Sequence, residues 1–173
     1  MALFLESSLL KEDFQAMQEA LFQAEKAKNM GEVPVGALVR VPPGDKVETR
    51  DPSRTFFRAH NLREINQNAL DHAEVRAIYE TQKKLGTWRL DGSTLYVTLE
   101  PCLMCLGALL QCRISRLVYG ASDPKTGAFS AYKIHKQSLS SEVVKHKLKI
   151  ASGLYEEESS KLLRFFFKKL RSS

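Results

Sequence analysis

A chain of 173 residues that is 43% hydrophobic and 27% charged is long enough for one compact domain with a real core, and the composition excludes a disordered polymer. The opening Met1-Ala-Leu-Phe-Leu-Glu6 has no basic leader, and the longest uncharged stretch, Pro101 to Cys112, is too short to cross a bilayer, so a cytoplasmic protein with no membrane partner is expected. The net charge of +6 is unevenly placed: residues 1–100 hold 13 Lys+Arg against 15 Asp+Glu and residues 101–173 hold 13 against 5, a basic second half that suits a polyanion such as RNA.

Hydrophobic periodicity then sets the elements in chain order. Phe14, Met17, Leu21 and Ala24 recur at helical spacing, predicting an amphipathic helix over about 8–29 that ends at Asn29-Met-Gly31. Val35–Val41 and Arg54–His60 read as strands joined by a long polar connection over 42–53. A helix from about Asp71 to Leu85, the strand Thr94–Leu99, a helix from Pro101 and the strand Arg116–Tyr119 follow, and strand–helix–strand implies a parallel crossover. Lys147–Ala151 is a last candidate strand, and residues 155–171 close the chain as a basic helix. The class is α/β, with helices on both faces of a mixed sheet and the whole of 1–173 forming a single domain.

The chemistry concentrates at two predicted helix starts. His72-Ala-Glu74 opens one and Pro101-Cys102-Leu-Met-Cys105 the other. Pro101 suits the first helical position, where its missing N–H has no partner to lose. Cys102 and Cys105 then share a helical face, and the positive end of the helix dipole favours their thiolates. Three cysteines in all are too few for a disulfide scaffold. One imidazole and two thiolates suit tetrahedral zinc and leave the fourth corner for a water whose pKa such an ion lowers toward neutrality. Glu74, beside the metal without being needed as a ligand, has the chemistry of a proton shuttle. Its other reading is a helix-start device, since Asp71 three residues earlier has capping-box spacing. Cys112 is about 10 Å along the helix from Cys105 and belongs to the core. His60 is the rival for a fourth ligand, and His135 and His146 read as surface or satisfied histidines.

Over most of its length the chain resembles the bacterial tRNA-specific adenosine deaminases of the cytidine deaminase superfamily. The matching pieces include Glu32-Val-Pro-Val-Gly-Ala37, Ala59-His-Asn-Leu-Arg-Glu64, His72-Ala-Glu74, Thr94–Cys102, Cys105, Arg113–Gly120, Asp123-Pro-Lys-Thr-Gly127 and Phe166-Phe-Lys-Lys-Leu-Arg171. The resemblance implies a cytidine-deaminase-like three-layer α/β/α fold with a mixed sheet of about five strands, a homodimer, one zinc ion per subunit, and conversion of the wobble adenosine of an arginine tRNA to inosine. By the same likeness Asn61 and the Ala73 backbone would hold the flipped nucleotide. Asp123 and Lys125 would touch the anticodon loop, and the last helix would hold neighbouring nucleotides through its basic residues, while its apolar residues are expected mostly to dock. The chain departs from the family pattern in the long 42–53 connection, in Asp71, and in Ser130-Ala-Tyr-Lys133. Two other readings share the motifs: a deaminase of a free nucleoside or base such as cytidine or guanine, and a structural-zinc RNA-binding module, which needs four protein ligands.

Overall fold

The computed structural model describes residues 9–42, 56–134 and 148–172. The 42–53 connection beyond Pro42, the start of the Arg54–His60 strand, His135, His146 and Lys147 lie outside them. In chain order the elements are α1 (Lys11–Asn29), β1 (Gly36–Arg40), β2 (Phe56–His60), α2 (Ala73–Leu85), β3 (Thr94–Leu99), α3 (Leu103–Gln111), β4 (Arg116–Ala121), β5 (Lys149–Ser152) and α4 (Glu156–Arg171). The sheet runs β2-β1-β3-β4-β5. β1 is antiparallel to β2 and to β3, whereas β3, β4 and β5 are mutually parallel. The expected mixed sheet and α/β class are therefore present.

Side-chain alternation along the strands builds two cores. Ala37, Val39, Leu95, Val97, Leu117 and Tyr119 meet Ala73, Ala77 and Ile78 of α2 and Leu106 and Leu109 of α3 on one face. Leu38, Tyr96, Val118 and Ala151 point the other way, onto Ala16, Met17 and Ala20 of α1. α4 packs beside α1 against β4, which completes three layers.

The buried stripe of α1 differs in phase from the predicted one. It consists of Asp13, Ala16, Met17, Ala20, Gln23, Ala24 and Ala27, while Phe14 is exposed. The reason is close approach: a Cβ at Gly36 would collide with the Ala20 carbonyl and come within 2.5 Å of the Ala24 nitrogen, so alanines stand where the helix backbone meets β1 and the bulky Phe14 is displaced to the flank.

Register decides where a ligand can go. Gly36 pairs with His60 and Ala37 with Val97, so the entry to β1 and the exits from β2, β3 and β4 share one end of the sheet. The loops leaving the carboxyl ends of the parallel strands open there, the usual place for a site in such a sheet.

Candidate metal centre and substrate cleft

His72 and Cys102 are not inside their helices but at the N-cap of each, with extended backbones (ψ 148° and 174°). Each carbonyl takes the first helical hydrogen bond, from Arg76 N–H at 3.0 Å and from Leu106 N–H at 2.9 Å, which leaves the side chains free of the helix axis. Pro101 consequently lies one residue before the cap, contrary to its predicted first helical position; it holds the chain extended out of β3, and its carbonyl accepts from Ala128 N–H at 2.9 Å. The capping-box reading of Asp71 and Glu74 is likewise corrected. The Asp71 carboxylate accepts from Asn66 and Asn68 at 2.6 and 3.0 Å, ordering the preceding turn, and Glu74 points inward and is buried.

Cys102 Sγ and Cys105 Sγ are 3.7 Å apart, and His72 Nδ1 lies 3.8 Å from the first and 3.5 Å from the second. A tetrahedral ion with metal–sulfur bonds of about 2.3 Å and a metal–nitrogen bond of about 2.05 Å requires sulfurs about 3.8 Å apart and sulfur–nitrogen separations of about 3.6 Å. The three donors thus have the spacing that zinc demands, and they form the group among the described residues able to hold a metal ion. His60 is not part of it; its Nδ1 pairs with Gln23 Oε1 at 3.0 Å. Cys112 is a core thiol, 3% exposed, pushed by burial up to about 11.

Electrostatics fit the same ion. A hydrogen bond from Cys105 and, against burial, another from His72 bring Cys102 down to about 4. The Cys102 hydrogen bond, burial and the Glu74 charge push Cys105 far up, while His72 is raised by its bond to Cys102. Two sulfurs beside a carboxylate carry more potential negative charge than one imidazolium balances, and a divalent cation relieves that excess. Burial raises the Glu74 pKa above its ordinary value, because a low-dielectric setting disfavours the carboxylate.

His72, Glu74 and Cys102 line a cleft of about 850 Å³, within the range that encloses a small ligand, and Cys105 is fully buried beside them. Asn61, His72, Ala73, Glu74, Cys102, Asp123 and Lys125 all line it, so the residues predicted to act together are together. The Asp123 carboxylate also shapes its own loop, accepting from Lys125 N–H and Thr126 N–H at 2.9 and 3.2 Å and from the Thr126 hydroxyl. Leu163, Arg164, Phe167, Leu170 and Arg171 of α4 supply the facing wall. Here the docking expectation holds only in part: Phe166 is buried and Leu163 packs against the core, but Phe167 and Leu170 are 44% and 56% exposed along the side of α4 that lines the cleft, and Phe165 is 64% exposed in a shallow groove beside Leu21 of α1.

Two functional supports carry no signal in spacing. Glu32 is fully buried and accepts from Asn61 Nδ2 and Ile65 N–H at 2.8 and 2.7 Å. Glu100, also buried, accepts from the backbone N–H groups of Asp123, Phe129 and Ser130 and from the Ser130 hydroxyl. It thereby clamps the 122–130 loop to the end of β3, and Ser130, a departure from the family pattern, is one of its partners. An acid at the edge of an apolar run is the available hint in both cases, and it is a weak one.

Comparison with known proteins agrees with this geometry. The family described as MafB19-like deaminase matches residues 11–171. The tRNA-specific adenosine deaminase of Bacillus subtilis (strain 168) is 43% identical over 155 residues, 90% of this chain and 88% of that protein. That of Haemophilus influenzae is 40% identical over 166 residues, 92% and 85% of the two chains. A solved structure from studies of A-to-I editing by tRNA:A34 deaminases at the wobble position of transfer RNA superposes with a TM-score of 0.71 at 35% identity, covering 86% of this chain and 99% of that one. A guanine deaminase from Nitrosomonas europaea, at 21% identity and TM-score 0.69, shares the fold. With a deaminase family spanning nearly all of its length and relatives of this identity along most of theirs, the chain belongs to the tRNA-specific adenosine deaminases of the MafB19-like deaminase family.

Proposed function

We propose that this chain, acting as one catalytic domain, deaminates the wobble adenosine of a tRNA, an arginine tRNA by family likeness, to inosine by hydrolysis. The observation that carries the reading is the set His72, Cys102 and Cys105, two of which, His72 and Cys102, line the cleft, with buried Glu74 beside them. His72, Cys102 and Cys105 would hold one zinc ion per subunit, which when bound supplies a Lewis acid that makes water a nucleophile at neutral pH.

The chain's own residues do the rest. Glu74 takes a proton from the attacking water, passes it to the adenine ring nitrogen next to the carbon under attack, and delivers a proton to the departing amine, so that adenine and water become hypoxanthine and ammonia. Its raised pKa suits both directions of transfer. Asn61 and the Ala73 backbone hold the flipped base, which must leave its stack to reach so deep a floor. Asp123 and Lys125 meet the anticodon loop, and Arg164 and Arg171 on the opposite wall meet phosphates. The partners are the anticodon stem–loop and a second copy of the chain, and the setting is cytoplasmic; among the described residues no helix is long and apolar enough to cross a membrane.

The test is incubation with a wobble-adenosine anticodon stem–loop, with free adenosine and cytidine as parallel substrates. Inosine in the stem–loop is expected. Turnover of a free nucleoside without inosine in the stem–loop would replace this function with a small-molecule deaminase, and no turnover with a fourth protein ligand on zinc would replace it with a structural module.

A further inference from the structure

Glu32 lies outside the reacting groups, in the segment that leads into β1, yet both its oxygens are committed: Oε1 to Ile65 N–H at 2.7 Å and Oε2 to Asn61 Nδ2 at 2.8 Å. A carboxylate only accepts. The Asn61 amide can therefore turn just its NH2 end to Glu32; the reverse orientation would press two buried acceptors together. Asn61 itself lines the cleft, and its Oδ1 accepts nothing from the described residues without being a buried orphan. The carbonyl end is thus free of protein donors and open to a ligand's donor, while the nitrogen, with one N–H on Glu32, has only its second N–H to spare.

We propose that Glu32 is a positioning residue that sets the orientation of the Asn61 amide, so that Asn61 meets the substrate nucleotide with a hydrogen-bond acceptor. This rests on the placement of Asn61 at the nucleotide in the proposed function. It also explains why an acid is needed where an amide has the same shape. With Glu32→Gln, the new side chain must keep its oxygen on Ile65 N–H, because a backbone donor cannot reverse. Its NH2 then faces Asn61, which must flip to offer Oδ1, and the cleft meets a donor where it had met an acceptor.

The test is a polarity-swap cycle on the zinc-loaded protein: Glu32→Gln, Asn61→Asp and the two combined, with kcat and KM on the anticodon stem–loop, zinc content and thermal unfolding for each. Each single variant should lose roughly tenfold or more in kcat/KM with zinc retained. The combination restores an NH2 opposite a carboxylate and an acceptor toward the cleft, and should recover about tenfold over Asn61→Asp. Wild-type kcat/KM in Glu32→Gln, or losses that simply multiply, overturns the proposal. If the combined variant does not fold, the Asn61→Ala background decides instead: adding Glu32→Gln there should change nothing, and a further loss overturns it. An activity-free readout separates this inference from the function. In 15N–1H spectra the Asn61 NH2 signal, identified by its loss in Asn61→Asp, should shift on Glu32→Gln, and an unmoved signal refutes the orientation even if the stem–loop proves not to be the substrate.

Discussion

Glu74 and Asp13 are both buried acids, and their surroundings send them in opposite directions. Around Glu74 burial dominates and raises the pKa. Removing its ability to carry a proton with Glu74→Gln should reduce deamination at least roughly a hundredfold, while zinc content and unfolding temperature stay at wild-type values; retained turnover, or loss of the metal together with activity, would contradict the assigned role. For Asp13 burial also opposes ionisation, but the Arg116 guanidinium at 2.6 and 2.8 Å, the Leu10 N–H at 2.6 Å and the Tyr96 hydroxyl at 2.7 Å outweigh it and hold the carboxyl below its ordinary value. A depressed pKa contributes stability that is complete above the unfolded value of about 3.9 and is lost as pH falls through the folded one. Urea unfolding should therefore show stability falling below about pH 4. Asp13→Asn should cost about 3 kcal/mol at neutral pH by removing the buried carboxylate from its ion pair with Arg116, and flatten that acid limb; an unchanged acid limb would show that Asp13 is not its source.

At the scale of the elements, small residues govern how closely layers approach. Gly36 is the point where β1 touches the backbone of α1, so Gly36→Ala should destabilise the fold by about 1–3 kcal/mol or more, read as a lower urea midpoint; an unchanged midpoint would mean that α1 can retreat. The same contact explains what was and was not legible in the sequence. Helical period is local, so the existence of α1, α2, α3 and α4 can be read from apolar spacing. The phase of α1 cannot, because it depends on Gly36 of β1 bringing the backbone of the helix close at Ala20 and Ala24 and on Arg116 of β4, which pairs with buried Asp13. That His72, Cys102 and Cys105 would come together was legible because residue type, Pro101 and spacing all carry chemistry. Their placement at N-caps was not, since a cap is recognised from sequence by Ser, Thr, Asp or Asn, and neither His72 nor Cys102 is one. Glu32 and Glu100 stayed hidden for a further reason: their partners are mostly backbone N–H groups, and a backbone donor leaves no mark on the residue type that bears it.

For the whole molecule, the basic second half predicted from charge reaches the cleft through α4, which contributes Arg164 and Arg171 to its wall. Binding of the anticodon stem–loop should weaken with salt along a straight log–log line, and Arg164→Ala or Arg171→Ala should each reduce the slope by about 1 with little effect on the choice of sequence. Filter binding from low to moderate salt measures this; a slope unaltered in both variants would place the phosphates elsewhere. The cleft itself is assembled from the entry to β1, the exits of β2, β3 and β4, and the final helix, so no single segment contains it.

That division has a consequence for how such an enzyme changes over evolutionary time. Every proposed metal donor and the proton carrier fall between His72 and Cys105, held by α2, β3 and α3, whereas the wall facing them belongs to α4, the last described element of the chain. Substitutions in a terminal helix that turns exposed side chains toward the opening disturb few core contacts. A lineage can therefore trial new occupants of the cleft by altering its end while inheriting the hydrolytic chemistry of its floor unchanged.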